Sequence, residues 1–349
     1  KYKMGMETSE WYNTQILVGM TDQRGHAWHY KKDEQGTEPN HYAGAIPVED
    51  VQRRLFSWSA TEAPIFIQVP ATIDDATSVD ENGNPVKFIK AENRKAILRD
   101  DTNEMFEIFK GGYAIHQYNE WLVKNLANLV DDDLAIGSAG LLKNGGVAWV
   151  SLEMPESIEV IDGFKVRPHL LATTSHIGTL ATTYKKVSTF VVCDNTHSMA
   201  MGEDGEQFKA RHSKHSALKI QTARDALGII HRMTDDVIAE ITKLSEWKVS
   251  DEQWNQLLTQ LVPVPTDLEQ KTAITRAENK RWALKDLYAN DQRVAPWRGS
   301  ALGVLQAYNT YNHHKAGADK NRVERNMLNA LNGSTGTADA KVLQVLASL

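Results

Sequence analysis

Apolar positions along this chain recur first at the two-residue period of strands and later at the three-to-four-residue period of helices. "TQILVGMTDQRGHAWHY" predicts a hairpin with a polar turn around Asp22 to Gly25. "PVEDVQRRLF" predicts a short helix, with Val48, Val51, Leu55 and Phe56 on one face. "APIFIQVP" predicts an apolar strand closed by Pro70. Residues 77–109 predict a meander, because "ENGNP" is a strong turn signal between alternating runs.

"GGYAIHQYNEWLVKNLANLV" predicts a glycine turn followed by a helix, with Trp121, Leu122, Leu126 and Leu129 on its apolar side. Residues 131–193 then predict four antiparallel strands, the first two joined by "KNGG" and the last two by the turn at "SHIG". Trp149 in "VAWVSL" alternates with apolar neighbours and is expected in the core. Beyond residue 195 the period changes to that of helices. "HSALKIQTARDALGIIHRMTDDVIAEITKLSEWKV" predicts one long helix. Ser250 with Gln253 three residues on is a capping box. Further helices are predicted over 266–290 and 299–316, then two short pieces around a Gly/Ser/Thr linker near the end. Strands segregated from helices predict an α+β fold. Three regions are expected: a strand-rich 1–110, a central meander with its long helix over 111–245, and a helical 246–349.

Composition narrows the function classes. The 349 residues are 41% hydrophobic and 24% charged, ordinary values for a globular protein with a sizeable core. The single cysteine, Cys193, rules out an intrachain disulfide and a multi-cysteine zinc site. It lies in the apolar run "STFVVCD", where burial makes a thiol inert, so the nearby His197 does not make it a nucleophile. No P-loop is present, and "GSAGLLKNGG" has turn spacing in place of the dinucleotide fingerprint. No apolar run approaches the roughly 20 residues that span a bilayer. A cytoplasmic protein without cofactor, metal or catalytic residue is the expectation. "VDDDLA" reads as a solvated turn, and His212 with His215, flanked by Arg211 and Lys214, makes a poor cation site.

A net charge of −6 does not advertise nucleic-acid binding, so such a role needs a local basic patch. One stretch qualifies. Residues 209–224 contain no acidic side chain in a chain with 45 Asp and Glu. Lys209, Arg211, Lys214, Lys219 and Arg224 lie there with His212 and His215, following Lys185 and Lys186 on a predicted strand. Cation tracks and helix N-termini of this kind serve phosphate backbones. Tyr184, beside Lys185, is the candidate stacking platform for a base.

"LATTSHIGTLATTYKKVSTFVVCDNTHSMAM", "ARHSKHS" and "WRGSALGVLQAYNTYNHH" together resemble the phage- and plasmid-encoded DUF932 family. The matching segments fall at 175–179, 191–196, 211–213 and 297–313, and "GGYAIHQYNE" and "NGGVAWVSLEMPE" are also similar to family segments. Asp194 stands where the family often has Gln, and the N-terminal segment aligns poorly. The resemblance implies a phage, prophage or plasmid gene acting in a bacterial cytoplasm. A meander leading into a basic helix is similar, in element order, to the Rad52-like and RecT-like single-strand annealing proteins. The expected function is binding of single-stranded DNA by a homo-oligomeric ring or filament that promotes annealing in recombination. The alternatives are a non-catalytic oligomeric or host-interaction protein without nucleic acid, and a metal-dependent nuclease using His212 and His215.

Overall fold

The computed structural model describes residues 14–24, 38–127, 129–130, 134–154, 157–161, 163–190, 195–197, 207–212, 223–317 and 319–349. It is an α+β fold in which strands dominate the N-terminal half and helices the C-terminal half. The larger sheet is antiparallel throughout. Its path runs β1 (Ile16–Val18), β6 (Ala135–Leu142), β7 (Val147–Glu153), β9 (Phe164–Ser175), β10 (Thr182–Phe190) and β11 (Asn195–His197). β8 (Ile158–Ile161) also pairs with β9, and β12 (Gln207–Ala210) with β10. The four-strand meander read from the sequence is therefore present as β6, β7, β9 and β10. Its first turn is the expected one, with Lys143, Asn144 and Gly145 all at positive φ.

The hairpin expected at the start does not form among the described residues. β1 pairs instead with β6, and Thr21–Arg24 is a helical turn (α1). Asn40 supplies the reason. Its side-chain amide donates to the Ile16 carbonyl, and its own carbonyl accepts from Val18 N, so the chain near residue 40 holds β1 in place from a distance.

The two faces of this sheet feed different cores. On β7, Ala148, Val150 and Leu152 face one way, with Leu170, Ala172 and Tyr184 from the neighbouring strands. That face is covered by α2 (Val48–Leu55) and by a short helix of π type, Asn119–Lys124, running into α3 (Asn125–Ala127). Val147 and Trp149 face the other way, with Leu171, towards Leu331. The Trp149 indole is fully buried, as its alternation predicts, and Gly140 makes the room: a Cβ there would lie 2.1 Å from Cη2.

The helical half comprises α4 (Ala223–Glu246), α5 (Asp251–Leu261), α6 (Lys271–Asn290), α7 (Ala301–His314), α8 (Asp319–Asn332) and α9 (Ser334–Ala347). The Ser250–Gln253 capping box opens α5 as the sequence predicts. The linker expected near the end contracts to Gly333, at φ +85°, and Ser334 already begins α9. These helices form their own apolar core, joined by Phe164 and Val166 from β9. Among the described residues no helix is long and apolar enough to cross a membrane.

The smaller sheet stands apart in character. β4 (Pro85–Arg99) pairs with β2 (Ala60–Pro70) on one side and with β3 (Ser78–Val79) and β5 (Met105–Lys110) on the other. Its turn at 80–84 is built by Asp80, whose carboxylate accepts from the backbone of Asn82 and Asn84. Phe66 (54% exposed), Ile67, Phe88 (49% exposed) and Ile89 sit on this sheet in the open. Register puts Ile67 opposite Ile89, and Phe66 opposite Lys90, on alternate faces.

Candidate functional site

Three segments that the sequence separates by up to a hundred residues meet beside the end of the β9–β10 ladder. The first is the loop after β5, carrying Tyr113, His116 and Tyr118; the second is the turn 175–179; the third is Arg211 and His212, which follow β12. Their rings form one column. Phe109 stacks on Tyr113 at 3.8 Å, Tyr113 on His212 at 4.9 Å, His212 on His116 at 4.2 Å, and His116 on Trp121 at 3.8 Å. The column runs from Trp121 through the buried His116 outward to the partly exposed Phe109. Gly178, at φ +70°, lets the 175–179 turn lie against that outer ring; a Cβ there would come within 3.1 Å of Phe109.

Hydrogen bonds fix the protonation pattern inside the column. His212 Nδ1 faces the Ala114 carbonyl at 3.1 Å, so it must be the N–H donor. Its Nε2 is then an acceptor, and takes the Thr174 hydroxyl proton at 3.2 Å. Thr174 Oγ1 in turn accepts from Thr182 at 2.7 Å, and Thr182 Oγ1 accepts from His116 Nδ1 at 2.6 Å. The chain of donors therefore runs one way, from His116 through two threonines to His212. It leaves His116 Nε2 as a buried lone pair without a hydrogen-bond partner among the described residues. His176 stacks on Tyr118 at 4.0 Å, and neither of its ring nitrogens has a partner among them either.

All three imidazoles are held neutral. Burial, and then the His212 ring, push His116 down to about 3. Burial, and then His212 and His116, push His176 down to about 3. Burial lowers His212, opposed by the Ala114 carbonyl. A neutral His–Thr–Thr–His chain is a positioning device. It ties the residue after β12 and the loop at 113–116 to β9 and β10 with directional bonds. Among the described residues no group of three His, Cys, Asp or Glu is arranged to hold a metal ion.

Of the ten residues singled out by sequence, three lie outside the described residues, and among the others Tyr184 and Lys185 face opposite sides of the large sheet. Tyr184 is 1% exposed, and its hydroxyl donates to the Trp121 carbonyl, so the ring packs in the core and presents no face to a base. Lys185 points to the other side of the sheet and donates to the carbonyls of Ala330 and Leu331, the latter at 2.8 Å, at the C-terminal end of α8. Lys209 lies in β12 opposite Thr183. Lys186 lies in β10 opposite Leu170, and Arg224 in the first turn of α4. Arg211 is exposed, and His212 forms the centre of the column. Lys214, His215 and Lys219 lie outside the described residues, as do Cys193 and Asp131 to Asp133.

Sequence reasoning missed the cations nearest the outer end of the column. β4 and β5 carry Lys87, Lys90, Arg94, Lys95, Arg99 and Lys110. Four of them face carboxylates: Lys87 with Asp75 at 3.6 Å, Lys90 with Glu92 at 3.4 Å, Lys95 with Glu62 at 2.5 Å, and Arg99 with Asp101 at 2.6 Å. Arg94 and Lys110 are different. They are exposed, stand directly opposite one another across the ladder, and form no ion pair among the described residues. Like charges opposite one another cost stability. Lys110 follows Phe109 directly along β5, so the charge pair and the outer ring of the column lie on opposite faces of the same strand.

A family model described as "Domain of unknown function (DUF932)" matches residues 105–332, more than half of the chain. The matched span includes β5, the ring column and the large sheet from β6 onward. No curated protein matches the chain. No solved structure matches it.

Proposed function

The chain belongs to the DUF932 family, and we propose that it is a non-catalytic protein that holds single-stranded DNA as a homo-oligomer, promoting annealing in recombination in the bacterial host of a phage or plasmid. The observation that carries this reading is the Arg94–Lys110 pair beside Phe109. Single-strand binding combines cations for the backbone with aromatic faces on which bases stack, each stacked base contributing about 1–3 kcal/mol. Two cations without an ion pair among the described residues supply the first part, and the partly exposed Phe109 ring, on the other face of β5, would supply the second at the sheet's edge; exposed Arg211 precedes His212 of the same column.

The test is fluorescence anisotropy of a labelled single-stranded oligonucleotide, at two salt concentrations. The wild-type chain should bind with a steep salt dependence. Arg94→Glu with Lys110→Glu should weaken binding at least tenfold and flatten the salt slope. Failure of the wild type to bind at low salt, or unchanged binding by the double variant, sinks the reading.

One observation favours a second reading, an oligomeric or host-interaction protein without nucleic acid. The apolar residues Phe66, Ile67, Phe88 and Ile89 are exposed on both faces of the small sheet, the kind of patch that marks a protein contact. A clean protein absorbance spectrum after purification, together with a multimeric mass, would favour it.

A further inference from the structure

The outer part of the small sheet has no core of its own. From Lys87 to Lys90, β4 pairs with β2 alone, because β3 reaches only to Val86 and β5 begins its pairing at Arg94. A two-stranded ribbon in water is marginal by itself. Among the described residues, none between 61 and 104 joins any of the three apolar cores, and Phe66 and Phe88 stay about half exposed.

Charge divides along this ribbon. Its tip, residues 74–81, carries Asp74, Asp75, Asp80 and Glu81 and no cation. Its shaft, residues 87–95, carries Lys87, Lys90, Arg94 and Lys95 against the single carboxylate of Glu92. Edge strands are commonly guarded by charged side chains, yet β2 carries none from Ala63 to its end at Pro70. Some opposite charges meet within the chain. Lys87 faces Asp75 at 3.6 Å and Lys90 faces Glu92 at 3.4 Å, exposed pairs that contribute little in water. Asp74 and Glu81 are exposed and form no ion pair among the described residues. Register decides which side chains share a face. Phe66 lies opposite Lys90, and Phe88 is two residues from Lys90, so these three project from one side of the ribbon.

We propose that this side packs against the same side of a second copy of the chain, the two ribbons running antiparallel about a two-fold axis. The proposal names the surface behind the homo-oligomer part of the reading above; it rests on that part and not on DNA binding. The order of the charges argues for a second copy. In a two-fold contact the same patch serves both subunits, so it must complement itself. Antiparallel ribbons set the acidic tip of each beside the basic shaft of the other, with Phe66 and Phe88 of both copies between them. Parallel ribbons would set tip on tip. A DNA strand would be drawn to the shaft and repelled by the tip of the same ribbon. An unrelated protein would need the same charges in reverse order, which the second copy supplies by symmetry.

Sedimentation velocity of the full chain over a concentration series, without nucleic acid, tests the contact. Wild type should self-associate. Asp74→Lys with Glu81→Lys sets cations against the shaft, and Lys87→Glu with Lys90→Glu sets carboxylates against the tip. Each pair should weaken association by about tenfold or more, through like charges brought together. The chain carrying all four substitutions has its opposite charges exchanged, and should associate within about threefold of wild type. None of the four side chains is buried, so every variant should melt close to wild type. A multimeric wild type whose association neither pair changes overturns the ribbon contact and leaves the homo-oligomer reading standing. Loss in both pairs without recovery in the fourfold variant also overturns it. A wild type that stays monomeric overturns it together with the homo-oligomer reading, and one that assembles only when an oligonucleotide is added gives the ribbon to nucleic acid and overturns the self-contact.

Discussion

The two sheets of this protein share one pairing geometry and differ in everything around it. In the large sheet, β7 is buried along its whole length and β9 along all but Lys165. In the small sheet, β2 exposes most of its residues, and β4 buries only Val86, Ala96 and Ile97. Backbone pairing by itself tolerates either setting. What differs is the ledger of side chains. The large sheet spends its apolar residues on two cores, whereas the small one leaves phenylalanine and isoleucine in water and places Arg94 against Lys110.

The largest effect should come from the buried sheet. Trp149→Ala removes a fully enclosed indole and should cost about 3–5 kcal/mol in urea unfolding, where it would show as a lower midpoint. Next comes acid. His116, His176 and His212 bind protons less readily folded than unfolded, so the unfolded state gains protons first as pH falls below about 6.5. Stability is therefore whole above that pH and declines as pH falls, for His116 and His176 towards pH 3 and by up to about 1.4 kcal/mol per pH unit each, with His212 contributing in the same direction. His116→Phe should flatten the slope in a pH series of unfolding curves; an unchanged slope would remove the column from the account.

On the open sheet the same measurements should barely move. Arg94→Glu with Lys110→Glu should lower oligonucleotide affinity at least tenfold, about 1.4 kcal/mol, while the melting temperature stays close to wild type. Smallest of all, Phe66→Thr with Phe88→Thr should change stability by no more than about 0.5 kcal/mol, yet reduce the mass seen in sedimentation. If that pair instead unfolds the protein as Trp149→Ala does, the contrast between the sheets is lost.

Much of the architecture was legible in the sequence, because it rests on local signals. "KNGG" produces its turn, Ser250 and Gln253 their capping box, and the alternation around Trp149 a buried strand. The N-terminal hairpin misled because β1 is placed by Asn40 and β6, partners that no local period encodes. The site was harder for the same reason. "YAIHQY" and "SHIG" were visible as family-like segments, yet nothing along the chain says that His116, Thr174, Thr182 and His212 form one chain of hydrogen bonds. Charge density drew attention to Tyr184 and Lys185, while register determined their fate: neighbours on a strand face opposite sides, and both sides of this sheet are covered.

Lys185 has a structural consequence of its own. Its ammonium closes the carbonyl end of α8, so a charge rooted in the strand-rich half neutralises the negative pole of a helix in the other half. Any fragment cut between the strands and the helices would keep that cation and lose its cap. The visible border between β and α is thus a poor place to divide the polypeptide, and expressing the halves separately should yield two insoluble products where the intact chain folds as one.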